Sequence, residues 1–375
     1  MVEQAGAVTT PHPKHQKSKL RNKSFARMKS QTPTYAALDL GTNNCRLLIA
    51  KPELHPGSRK LDRPYYGESG MPFRVIDAFS RIVRLGEGLA RTGKLNDHAI
   101  ERTLTALTIC ASKMRRRRVT MARCIATEAC RRALNCDDFL RRVREETQLN
   151  LEIVSGEEEA ALGLIGCLPL LNHKLNNALI FDIGGGSTEI SWLAKDQNNE
   201  FDLVDTISIP FGVVTLTESY GGQYDPKRTD GGTLDPRAYQ DIKHHVSKQL
   251  EAFDAIHNIA QHMRAGNAQM VGTSGTVTTL SGIHLRLRRY DRSVVDGTYL
   301  STHDMRKIMH ELGRTSNNGR AAYPCIGPRR SDLVLPGCAI LEAILDLWPI
   351  EGLRVADRGL REGMLYTMAT NNVQS

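Results

Sequence analysis

Two glycine-bearing strings occupy equivalent places in the two halves of this chain, Asp39-Leu-Gly-Thr-Asn-Asn44 and Asp182-Ile-Gly-Gly-Gly-Ser-Thr-Glu189. Each follows an apolar run (35–38 or 178–181) and leads into another (46–49 or 190–193). Both therefore predict a strand, a tight turn and a second strand. One such turn alone would be an ordinary hairpin. Two in register with their flanking strands point to duplicated half-molecules whose turns face each other across a cleft. A chain of 375 residues is more than one core usually organises, which gives a count of two by an independent route. Glycines let successive backbone N–H groups point into one hollow that suits phosphate oxygens. An Asp at the strand end suits a hard cation that bridges to phosphate.

Of the nine net positive charges, six fall in the first thirty residues, where seven Lys and Arg stand against Glu3. With no apolar periodicity there, residues 1–33 read as a disordered basic tail. Contact of that tail with polyanions ranks second, and nucleic acid is not expected as a partner. The longest apolar run, Leu162 to Leu171, is too short to span a bilayer and contains Pro169, so no membrane association is expected and the chain is assigned to the cytoplasm. Eight cysteines form no Cys-x-x-Cys pair and have no zinc-type spacing, so they read as reduced, buried, small apolar residues.

Strand and helix patterns alternate along the rest of the chain, as in an α/β protein. Strands are predicted over 73–85, 119–126 and 151–154, and helices over 96–114, 139–147 and 157–168. The second half repeats the theme from about residue 176. One long helix is predicted from Asp235-Pro236 to about Gly266, its apolar face formed by Ile242, Val246, Leu250, Phe253, Ile256, Ile259 and Met263. A Pro- and Gly-rich insert at 52–72 and a polar Gly-rich loop at 220–233 interrupt the pattern. The domains expected are 34–172 and 173–375, with the last helix packing back on the first.

Chemistry has several candidate carriers. Ser155-Gly-Glu-Glu-Glu-Ala160 opens a helix, and Ser155 with Glu158 fits a capping box that accounts for one glutamate. A carboxylate held at the domain junction beside phosphate is placed to align a water and accept its proton. The residues alone do not choose among Glu157, Glu158 and Glu159. Arg131, in Ala126-Thr-Glu-Ala-Cys-Arg-Arg-Ala-Leu-Asn135, is a candidate for bidentate contact with phosphate. Ser274 and Gly275, in Gly272-Thr-Ser-Gly-Thr276, form a third small-residue turn open to phosphate. Basic clusters at 286–292 and at Arg329-Arg330 are candidates for a polyanion track.

Taken in order, these strings resemble those of the exopolyphosphatase and guanosine-pentaphosphate phosphohydrolase (Ppx/GppA) family, and Gly359-Leu-Arg-Glu-Gly-Met364 supplies a sixth. The resemblance implies two duplicated actin-like ATPase (ribonuclease H-like) domains flanking an interdomain cleft. It places the catalytic glutamate at Glu159 and implies metal-linked acids at Asp182 and Glu189, with Asp39 as a third. It implies phosphate contacts from Gly41, Thr42, Asn43, Arg46 and Arg131, and from Gly184, Gly185, Gly186 and Ser187. The implied reaction is release of orthophosphate from inorganic polyphosphate, with Mg²⁺ or another divalent cation as cofactor. The alternatives are hydrolysis of guanosine pentaphosphate and a non-catalytic sensor of either ligand. A homodimer is a further implication. Thr42, Asn44 and Cys45 depart from the family's usual residues in shape and not in charge.

Overall fold

A computed structural model describes residues 32–53, 72–220 and 234–371. Nearly all of the basic tail, the Pro- and Gly-rich insert and the 220–233 loop lie outside the described residues. Eleven strands are described: β1 (Tyr35–Leu40), β2 (Asn44–Pro52), β3 (Phe73–Ile82), β4 (Met121–Ala126), β5 (Glu152–Ile153), β6 (Asn177–Ile183), β7 (Thr188–Lys195), β8 (Phe201–Ile209), β9 (Ala268–Ser274), β10 (Tyr299–Ser301) and β11 (Gly352–Ala356).

They form two mixed sheets, ordered β3-β2-β1-β4-β5 and β10-β11-β9-β6-β7-β8. Read from its other edge, the second sheet repeats the first. An antiparallel meander of three strands comes first, and the strand that opens it then pairs in parallel with the next. Strand β10 is an antiparallel addition at the far edge. This repeated α/β arrangement is the actin-like ATPase fold. Among the described residues no helix is long and apolar enough to cross a membrane. All eight cysteines are free and buried.

Alternation of side chains along the strands fills both faces of each sheet. In β1, Ala36, Leu38 and Leu40 face a core with Leu104 and Leu107 of the helix Asp97–Arg116 and Phe139 of the helix Cys136–Thr147. Tyr35 and Ala37 face the opposite way, onto Leu162, Met364, Leu365 and Met368. In β6, Leu179, Phe181 and Ile183 meet Ile242, Val246 and Leu250, while Ala178 and Ile180 meet Leu164 and Cys167.

The helix Gly156–Cys167 is therefore buried between the two sheets, with Leu162 on one and Leu164 and Cys167 on the other. Such a position requires apolar residues all round rather than a stripe. The last helix, Leu360–Asn371, packs along it and over β1. Their backbones approach closely at two glycines. A Cβ at Gly363 would lie 1.9 Å from the Leu162 carbonyl oxygen, and one at Gly166 would lie 2.1 Å from that of Gly359.

One predicted element is different. The long helix stops at His257, and a separate one runs Ile259–Arg264. Asn258 lies in the left-handed region at φ 53°, which Asn tolerates. The Asp254 carboxylate fixes the break by accepting from Ala260 N and Trp348 Nε1, both at 2.8 Å. Ile256, assigned to the apolar face, is 68% exposed.

The two halves are also joined at the rim of the cleft. Arg84 donates to both carboxylate oxygens of Asp332 at 3.0 Å and to the Arg329 carbonyl at 2.9 Å. Gly88 N donates to Glu218 at 2.7 Å.

Gly363→Ala is expected to destabilise the protein by about 1–3 kcal/mol through backbone overlap. Gly163→Ala, where an added Cβ meets nothing within 4 Å, is expected to stabilise by up to about 1 kcal/mol through helix propensity. Urea midpoints of the two variants test this pair, and similar shifts would refute the close helix contact.

Candidate active site

Each hairpin turn is closed the same way. Gly41 N donates to Asn44 O at 2.9 Å, and Gly184 N donates to Ser187 O at the same distance. The chain leaving each meander then covers its turn, with Val83 N bonded to Asn43 O and Val213 N bonded to Gly184 O. The two turns meet across the cleft. A Cβ on Gly185 would stand 3.1 Å from that of Thr42, and one on Gly186 would stand 2.7 Å from Thr42 Oγ1. Only glycine permits this approach.

Between and behind the turns lies a cavity of about 630 Å³. Gly41, Thr42, Asn43, Arg46, Gly184, Gly185, Gly186, Ser187, Ser274 and Gly275 line it, together with Asp39, Glu159 and Asp182. The register places Asp39 opposite Arg46 and Asp182 opposite Glu189. Ser274 has a structural duty as well, since its hydroxyl accepts from Thr276 N and Val277 N and caps a helix.

The structure separates the three glutamates. Ser155 caps the helix by accepting from Glu158 N at 3.1 Å, Glu157 and Glu158 are exposed, and Glu158 pairs with Arg123. Glu159 reaches the cavity. Burial, and next the negative charge of Glu189, push its carboxyl up to about 8. Burial likewise pushes Asp182 and Glu189 up to about 7 and raises Asp39.

Two assigned residues sit elsewhere. Arg131 does not line the cavity. It donates from Nη1 to Glu159 and to the Val154 carbonyl, both at 2.8 Å, and from Nη2 to Glu128 at 2.9 Å. Its guanidinium is committed to two carboxylates instead of the open space expected for a phosphate contact. Glu189 lies behind its turn, where it accepts from Ser187 Oγ and from Ser208 Oγ, the latter at 3.1 Å.

For a divalent cation, the donor set offers hard oxygens. Asp39 and Asp182 line the cavity with carboxylates that burial makes costly to ionise unaided, and Asn43 Oδ1 is buried without a hydrogen-bond partner. Among the described residues no three His, Cys, Asp or Glu side chains stand close enough to hold a cation by themselves. Mg²⁺ takes one or two carboxylates and completes its shell with water and phosphate oxygens, and Asp39 and Asp182 are the carboxylates that would hold it here.

Sequence reasoning missed part of the lining. Arg292 and Arg330 appeared only as members of basic clusters. Arg361, in the last of the motif strings, carried no assignment, and neither did Tyr290 or Asp357. Tyr290 and Arg292 had one signal, their place before β10, and Asp357 and Arg361 theirs, just after β11; Arg330 lies between two helices and had none.

A two-lobed α/β fold with opposed glycine turns over an acid-lined cavity defines a phosphate-handling enzyme of the actin-like class. Residues 67–372 match the Ppx/GppA phosphatase family, and the chain belongs to it. The family is one of phosphatases. The chain is 29% identical over 315 residues to the bifunctional 3-dehydroquinate synthase/phosphatase of Fusobacterium nucleatum, covering 83% of this chain but 43% of that protein. It is 28% identical over 350 residues to exopolyphosphatase 2 of Mycobacterium tuberculosis, with 89% and 98% covered. The crystal structure of the Aquifex aeolicus Ppx/GppA family member is similar at a TM-score of 0.68 and 26% identity, over 91% of this chain and 98% of that one.

A carboxyl raised by folding holds its proton more tightly in the native state, so stability is lost as pH rises from its unfolded value through its folded one. Asp182, taken from 3.8 to about 7, gives a window between those values. In buffer free of divalent cations and phosphate, Asp182→Asn is expected to melt higher than the parent by roughly 5 °C at pH 8. The gap should narrow toward pH 5, and a thermal-melt series showing no narrowing would refute this electrostatic picture.

Proposed function

We propose that this protein hydrolyses the terminal phosphoanhydride bond of inorganic polyphosphate and releases orthophosphate. The observation that carries the reading is the place of Glu159, a half-buried carboxylate raised to about 8, in the same cavity as both glycine turns. A group with that affinity is poised to take a proton near neutral pH. Phosphoryl transfer asks mainly for positioning and charge neutralisation, and the turns and arginines of this cavity supply both.

In this reading the N–H groups of residues 42–43 and 185–187 hold the oxygens of the terminal phosphoryl group, while those of Gly41 and Gly184 close their turns. Glu159 accepts a proton from water as the oxygen of that water bonds to phosphorus. The bridging bond breaks, and its electron pair leaves with the shortened chain. Arg131 acts as a positioning residue, fixing Glu159 through the 2.8 Å bond. Asp182 and Asp39 would hold a divalent cation, with Glu189 behind them. Such a cation, when bound, supplies neutralisation of phosphate charge.

Guanosine pentaphosphate hydrolysis is the second reading. It is favoured by an apolar wall of the cavity, formed by Leu280, Pro324, Ile326 and Leu333, which a phosphate chain does not need. Values of kcat/KM on both substrates separate the two.

Glu159→Gln is expected to fold and to bind polyphosphate while losing about 10²-fold or more in kcat. The parent's kcat/KM should climb as pH approaches about 8, where Glu159 gives up its proton, and this limb should vanish in the variant. Orthophosphate release at near-parental rate by Glu159→Gln would remove the residue from the mechanism.

A further inference from the structure

The segments that cover the two glycine turns are tied to each other. Over the first turn, Val83 N and Arg84 N both donate to the Asn43 carbonyl, at 2.9 and 3.0 Å, and Gly86 N donates to that of Thr42 at 2.9 Å. Over the second, Val213 N donates to Gly184 O at 3.0 Å and Val214 N to Gly185 O at 2.8 Å, where the helix Val213–Tyr220 begins. Glu218, on that helix, accepts from Gly88 N at 2.7 Å and so joins one cover to the other. Its carboxylate faces the positive charges of Arg84 and Arg91, and the acid that opposes it, Glu87, is paired with Arg102.

Arg84 makes the second tie. Its backbone lies in the left-handed region at φ 48°, which costs energy that glycine would avoid, and an arginine held there points to a duty for its side chain. The guanidinium meets Asp332 fork to fork, a geometry that fixes orientation as well as distance. The receiving segment is itself held. Arg320, 1% exposed, donates to Ser331 O at 3.2 Å, to Thr315 O at 2.5 Å and to Leu312 O at 3.3 Å. Asp332 leads into the helix Val334–Leu347, which runs so near the second cover that a Cβ on Gly337 would stand 3.2 Å from Val213 Cγ1. Arg84, Asp332 and Glu218 do not line the cavity, so whatever they do for the reaction passes through the covers.

We infer that Arg84 and Glu218 are positioning residues that set the separation of the two glycine turns, so that the rate of phosphoryl transfer depends on them more than the affinity for the phosphate chain does. This rests on the placing of the terminal phosphoryl group between the turns. Attraction of a polyanion into the cavity acts over a long range and tolerates a small parting of the lobes. Alignment of phosphorus with a water on Glu159 does not, and an error of about 1 Å costs about 10²-fold in rate.

The test reads kcat and KM for inorganic polyphosphate, together with backbone hydrogen exchange at Val83 and Val213. In Arg84→Gln and in Glu218→Ala, assayed well below their melting temperatures, kcat should fall about tenfold while KM moves by less than about threefold. Exchange at both amides should quicken. Arg84→Asp or Asp332→Arg alone sets like charges against each other and should lower kcat further, and the two together should return it to within about threefold of the parent. A merely structural contact would lower the melting temperature and leave kcat where it was, which overturns the positioning role. A rise in KM as large as the fall in kcat overturns it too, as does a double reversal that restores nothing. Should a reversal variant fail to fold, Glu218→Ala decides by the same split. The two readings fail separately. If the unmodified protein releases no orthophosphate, hydrolysis falls, and the exchange rates alone uphold or overturn the control of the turns. If it is active and both Arg84→Gln and Glu218→Ala keep its kcat, the positioning role alone falls.

Discussion

The close approach of two backbone turns organises this molecule. Gly185 and Gly186 come so near Thr42 and Asn43 that a side chain on either glycine would part the lobes. With the turns in contact, donors from both halves surround one small volume, and the acids and arginines around it interact at short range. The rim contacts of Arg84 with Asp332 and of Gly88 with Glu218 accompany the same closure, the second joining the segments that cover the two turns.

Duplication of the fold did not duplicate the charge. Equivalent cross-strand positions carry Asp39 against Arg46 in one half and Asp182 against Glu189 in the other. One turn thus presents a mixed pair and the other an acidic pair; burial raises both of its carboxyls, with the charge of Asp182 adding to the rise at Glu189 and that of Glu159 to the rise at Asp182. Arg46 and Asp182 line the same cavity from the two halves, and the charge of Arg46 acts on Asp182 as well as on Asp39. Symmetry of backbone with asymmetry of charge converts a repeated scaffold into a directional site.

Much of this was legible in the sequence, for local reasons. The two strand-turn-strand strings, the amphipathic helix after Asn96 and the capping serine at 155 depend on neighbours within a few residues. What was not legible depends on distant partners. The break at Asn258 needs Trp348 against Asp254. Arg131 turns toward Glu159, 28 residues away, and not into the cavity. The choice of Glu159 among three adjacent glutamates is made by a helix that both sheets bury. Arg361 becomes a cavity residue only because the last helix begins at one sheet and lies across the other.

That last helix has a bearing on how the chain is made. The face of the first sheet bearing Tyr35, Ala37 and Leu48 is covered by Met364, Leu365 and Met368, more than three hundred residues downstream. A ribosome delivers the strands of this sheet early, yet their apolar surface, which Leu162 covers only in part, is not closed until residues 360–371 emerge. The earliest-made half is therefore among the last to be finished, and in the interval it needs either a temporary companion or an interim packing that the late helix displaces.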